Sequence, residues 1–106
     1  MITTTTHTIE GKQIKKYLGI VSAESIFGTN ILRDFAASIR DLVGGRSQAY
    51  ETIVSKAKCT ALQEMEQEAS TLGANAIVGA SFEINTIGEH NSMVLVSWRG
   101  TAVWVE

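Results

Sequence analysis

The chain has 106 residues, 44% hydrophobic and 19% charged, the proportions of one ordinary globular domain able to build a core without disulfides or a structural metal. Nine Lys and Arg against eleven Asp and Glu give a formal charge of −2, which supplies no basic footprint for nucleic acid, and every apolar run is far shorter than the roughly 20 residues of a membrane-spanning helix. The single cysteine, Cys59, excludes an internal disulfide, and the opening stretch MITTTTHTIEGKQI has neither a basic start nor a long apolar run, so the expected setting is the reducing cytoplasm.

Residues 3–8 are mostly β-branched and read as an extended segment that includes His7. Glu10 and Gly11 turn the chain into a second extended run, YLGIVSAESIF at residues 17–27, expected to be a strand buried on both faces between Leu18 and Val21. Leu32, Phe35, Ala36, Ile39, Leu42 and Val43 then recur at helical spacing, which predicts a short amphipathic helix with Asn30 as its N-cap. A longer helix is predicted over 48–72, with Ile53, Ala57, Ala61, Met65, Ala69 and Leu72 on one stripe and Gly73 as its left-handed terminator. Two strands follow. In the first, Val78, Ala80, Phe82 and Ile84 alternate with Gly79, Ser81, Glu83 and Asn85; in the second, Val94, Val96, Trp98, Ala102 and Trp104 form an apolar face opposite Ser97, Arg99 and Thr101. Residues 88–92, with His90, read as the hairpin loop between them. The sum is a single α+β domain over 1–106: a two-layer sandwich, its largely antiparallel sheet packed by one long helix plus a short one.

The stretch VGGRSQAY between the two helices supports two readings. Gly44 or Gly45 can end the first helix at positive φ while Ser47 caps the second, which is ordinary helix punctuation. The same residues also suit a small anion, because a helix N-terminus carries partial positive charge, Arg46 adds a full one and Gly45 admits close approach to the backbone. Neither a Walker loop nor a GxGxxG fingerprint is present.

Metal ligation would draw on Cys59, His7 and His90, with carboxylates such as Glu66 and Glu83, but no two of the Cys and His residues are near neighbours in sequence. Cys59 reads equally as a small packing residue at a subunit contact, and the two histidines as loop and strand residues. Glu64, Glu66 and Glu68 read as a solvated helix face, and Trp98 and Trp104 as core. For an enzyme, Tyr50, Arg46 and Glu51 are the only set that assembly could bring to one place, and no catalytic signature marks them.

GGRSQAYE, LGANAIVGASFEI and MVLVSWRGTAV together resemble the YbjQ-like family over nearly the whole chain. That resemblance implies a two-layer subunit assembling as a ring-forming homopentamer, bacterial and cytoplasmic in most members, carrying a heavy-metal-binding label with biochemical function unknown. It places Gly44, Gly45, Arg46, Ser47, Tyr50 and Glu51 in the family's central loop and Gly73, Ala74, Asn75 and Ala76 in its helix-to-strand turn. The expectation is therefore a homo-oligomeric module whose partner is itself, taking a divalent heavy metal or small anion at an intersubunit loop. A purely scaffolding ring is one alternative and an enzyme with an intersubunit site another. Independently of the resemblance, Cys59 and Leu62 fall off the main helix stripe. The Thr-rich residues 2–8 and the alternate strand face of Met93, Leu95, Val103 and Val105 offer pairing edges and apolar area without any proline to blunt them.

Overall fold

The computed structural model describes residues 1–28, 46–88 and 93–106. The expected short helix with its Asn30 cap, Gly44, Gly45 and His90 lie outside the described residues. Five elements are described: β1 (Ile2–Thr3), β2 (Ile14–Gly28), α1 (Arg46–Thr71), β3 (Ala76–Ile87) and β4 (Met93–Val105). The strands form one mixed sheet in the order β1-β3-β4-β2, antiparallel except for the short β1–β3 pair. The α+β sandwich is as the periodicities indicate. No helix among the described residues is long and apolar enough to cross a membrane.

Helix α1 is built from good helix formers, and every fourth residue from Ile53 through Ala57, Ala61 and Met65 to Ala69 is buried. Three of these five are alanines, whose methyls let the helix lie close to the sheet, while Met65 fills the space between. Val54, Lys58, Leu62 and Glu66, each one position further on, are half-buried and widen the contact. The chain stops being helical at Gly73, with φ of +89°. Ala74 donates its N–H to the Ala69 carbonyl (3.0 Å) and Gly73 to that of Ser70 (2.9 Å), a Schellman closure sealed by apolar contact of Ala74 with the cluster containing Ala69. Leu72, expected on the buried stripe, lies past the last helical turn and is exposed. At the other end, Arg46 and Ser47 are both inside the helix, so Ser47 is not its N-cap.

The helix covers one face of the sheet. Val21 and Ala23 of β2, Ile77 and Ala80 of β3 and Ala102 of β4 pack beneath Met65 and Ala69; Val94 and Val96 pack with Ala57 and Phe27 further along. Trp98 fixes the helix to the sheet by donating its indole N–H to the Lys58 carbonyl at 2.9 Å. Its ring meets Phe82 at a centroid distance of 5.0 Å, and the Lys58 ammonium sits 4.9 Å from the Phe82 centroid. Trp104, expected in the core, keeps the right face but lies beyond the reach of α1 and is 40% exposed.

Among the described residues the opposite sheet face is covered at one end, where Ala76, Val78, Val103 and Val105 pack under Ile9 and Ile14. Val103 and Val105 are thus buried within the subunit, contrary to their expected role as surface for assembly. A bulge in β3 explains a second departure. Val78 pairs with Thr101 and Ser81 with Arg99, so β3 carries one extra residue around Gly79, whose φ is +61°. Val78 and Ala80 consequently sit on opposite faces, the first with Val103, the second with Met65. Residues 4–6 run along this bulge: Gly79 donates to the Thr6 carbonyl at 2.8 Å and Ala80 to that of Thr4 at 3.0 Å. Strand β1 is Ile2–Thr3, so of the expected extended segment 3–8 only Thr3 is strand, and His7 lies in an exposed bend.

Candidate functional site

Arg46, Ser47, Tyr50 and Glu51 fall in the first two turns of α1, with Glu51 exposed. Cys59 is exposed on the outward side of the same helix, two residues beyond buried Ala57. His7 belongs to a different element, its Nδ1 being 3.7 Å from the position a Cβ on Gly79 would take. Among the described residues no group of three or more His, Cys, Asp or Glu is close enough to share a metal ion. The two carboxylates weighed as ligands have structural partners: Glu66 accepts a hydrogen bond from the Thr3 hydroxyl at 2.7 Å, and Glu83 pairs with Arg99 at 3.2 Å. The latter pair is well exposed on both sides, so it contributes little to stability.

The glutamates of α1 are not all solvated face. Glu66 is half-buried and ties the helix to β1, while the Glu68 carboxylate accepts the backbone N–H of Ser22 at 3.2 Å on the far edge of β2. The helix therefore reaches both margins of the sheet. The sequence signal for Glu66 was its position one residue past the Ala61–Met65 stripe, in register with Val54 and Leu62. No local pattern reports Glu68, because its partner is 46 residues away.

Asn75, assigned to the helix-to-strand turn, makes a peptide-like exchange with Val105. Its Nδ2 donates to the Val105 carbonyl and its Oδ1 accepts the Val105 N–H, each at 2.8 Å, and its own N–H reaches the Val103 carbonyl at 3.1 Å. The side chain thereby extends the sheet by one rung, a structural role.

What the described surface offers most plainly is an open strand. β2 is the last strand of the sheet, 15 residues long, and carries exposed apolar side chains where a lone subunit would be expected to place charge: Tyr17 is 71% exposed, Ile20 81% and Ile26 55%. The pairings Ile20 with Thr101 and Ile26 with Leu95 put both isoleucines on the face away from α1. Residues 18–21 were expected to be buried on both faces; Val21 is fully buried, but Ile20 faces outward. Among the described residues no strand pairs with the outer edge of β3 past Ala80, where Phe82 and Ile84 are about two-fifths exposed.

These features define a class: a two-layer α+β subunit with one helix-covered sheet face and, among the described residues, a long edge strand. The chain belongs to the YbjQ-like family, whose description is "Putative heavy-metal-binding" and whose pattern matches residues 1–106. Its fold is also similar to the crystal structure of a protein of unknown function from Pediococcus pentosaceus, assigned to the DUF74 family. The two superpose with a TM-score of 0.67 at 18% identity, over 100% of this chain and 98% of the other.

Proposed function

We propose that this protein is a homo-oligomeric binding module, a ring of five being the stoichiometry its family resemblance implies, which takes a heavy-metal ion or small anion where subunits meet. The observation that carries the assembly is the exposed apolar edge of β2.

Assembly also bears on the ligand. In this reading neighbouring copies supply the donors that the described residues of one subunit do not bring together. For an anion, the N-terminal turns of α1 with Arg46 remain the chemically suited place. Equilibrium dialysis with zinc and with phosphate, on the wild type and on an Ile20→Asp variant made monomeric, tests the reading. Retention by the assembled form alone is expected. Equal retention by the monomeric variant would contradict an intersubunit site, and no retention by either would leave a scaffolding ring.

A further inference from the structure

The run of threonines that opens the chain belongs to an arm seated on the outer edge of β3. Past the two-residue pairing of β1, Thr4 donates its N–H to the Ile77 carbonyl at 2.9 Å and accepts the Ala80 N–H on its own carbonyl at 3.0 Å. The Thr6 carbonyl accepts the Gly79 N–H at 2.8 Å. A regular strand turns only alternate N–H groups to one edge. The bulge at Gly79, with φ of +61°, turns two neighbouring ones toward the arm, those of Gly79 and Ala80. The β3 edge is thus shaped to receive it.

What holds the arm differs from what holds the chain after it. From Ile9 onward the chain is anchored: Ile9 and Ile14 pack over Ala76, Val78, Val103 and Val105, and Gln13 exchanges two backbone bonds with Glu106, at 2.9 and 3.0 Å. Ahead of Ile9, Met1, Ile2, Thr5, Thr6, His7 and Thr8 are all exposed, so the arm buries little apolar surface and has the character of a locally opening segment. Its side-chain tie to α1 is the Thr3 hydroxyl, which donates to the half-buried Glu66 at 2.7 Å. Within the arm the hydroxyls bond one another and the local backbone. Thr4 Oγ1 lies 2.8 Å from Thr6 Oγ1 and accepts the Thr6 N–H at 3.2 Å, and Thr6 Oγ1 donates to the Thr8 carbonyl at 2.6 Å. None of these bonds involves β3, so they persist when the arm lifts and lower the conformational entropy lost on its return.

We propose that residues 1–8 form a strap that lifts from β3 as a unit, hinged between Thr8 and Ile9, with Thr3 and Glu66 as its latch. Lifting frees the Gly79 and Ala80 N–H groups and the Ile77 carbonyl, and so lengthens the stretch of β3 edge that no described strand covers. Because Glu66 belongs to α1, the latch couples strap to helix: any shift of α1 that draws the carboxylate from Thr3 favours lifting. Every bond involved lies within one subunit, so the device stands apart from the assembly reading.

Amide hydrogen exchange on the whole protein, resolved residue by residue by NMR, tests the strap. In the wild type the N–H groups of Thr4, Gly79 and Ala80 should share one opening equilibrium, more open than that of Gln13 across the hinge or of Asn75, which donates to the Val103 carbonyl. Thr3→Val removes the hydroxyl and keeps the branched shape. It should increase opening at Thr4, Gly79 and Ala80 by about ten- to a hundredfold, as expected for loss of a hydrogen bond to a charged group, and leave Gln13 and Asn75 unchanged. Thr3→Ser, which keeps the hydroxyl, should stay near the wild type. Equal protection of Gly79, Ala80, Gln13 and Asn75 in the wild type would overturn the separate unit without recourse to any variant. Acceleration of all these amides alike by Thr3→Val would overturn it too, and wild-type protection in Thr3→Val would overturn the latch.

Discussion

Gly100 of β4 is buried opposite the β3 bulge, and a methyl group there would lie 2.6 Å from Ile77 Cγ2 and 3.4 Å from both the Ala80 Cα and the Val78 carbonyl oxygen. Ile77 is fully buried and β-branched, so Cγ2 cannot swing clear without leaving its rotamer well. Overpacking of this kind costs about 1–3 kcal/mol. Restricting the unfolded chain by exchanging glycine for alanine returns about 0.4–1 kcal/mol. Gly100→Ala should therefore destabilise by about 1–2 kcal/mol, read as a lower urea midpoint at unchanged slope and fixed protein concentration. Ile77→Ala alone should cost about 2–5 kcal/mol, but it removes the atom that clashes. The double variant should consequently be more stable than the sum of the single effects, by about the 1–3 kcal/mol that the clash contributes. A neutral Gly100→Ala, or a double variant that is simply additive, would refute the claim that backbone approach at the bulge is what excludes a side chain from position 100.

Asn75→Ala removes both side-chain bonds to Val105 and strands its backbone groups at the end of the sheet, and should cost about 2–3 kcal/mol in chemical denaturation; a loss under about 0.5 kcal/mol would show that water replaces the amide. Gly73→Val places a β-branched residue at φ of +89° and should cost about 1–2 kcal/mol, whereas an unchanged midpoint would mean that the helix can end elsewhere. Cys59→Ser should abolish tight zinc or copper uptake by the assembled protein if the family's metal label holds for this chain, since Cys59 is its only thiol. Unchanged metal content by elemental analysis would remove Cys59 from any site.

Much of this fold could be read from local periodicity. The fourfold spacing of Ile53, Ala57, Ala61, Met65 and Ala69 survives intact as the buried stripe of α1, and Gly73 ends the helix as its position implied. The readings that failed depended on tertiary facts. One extra residue near Gly79 moved Val78 to the face opposite Ala80, a shift that strict alternation has no means to register. Val103 and Val105 are buried because Ile9 and Ile14, some 90 residues earlier, fold over them. Trp104 has the predicted face but lies outside the clusters that pack with α1 and is exposed. The site residues carried over by resemblance were harder still. Arg46, Ser47, Tyr50 and Glu51 share a short segment of α1, and of the residues weighed for metal Cys59 lies further along that helix while His7 stands in a bend elsewhere. The residues that sequence reasoning missed, Ile20 and Ile26 as exposed and Glu68 as an edge cap, became meaningful once β2 was seen to be the last strand of the sheet.

The account turns on assembly through that strand, and native mass addresses it most directly. Light scattering coupled to size exclusion at low micromolar concentration should give a single species of about five times the 11.5 kDa subunit, persisting on dilution as expected of an interface that buries exposed apolar edge. A homogeneous species at 11.5 kDa would contradict the account, leaving Tyr17, Ile20 and Ile26 as exposed side chains on a monomer and removing every intersubunit site proposed from them.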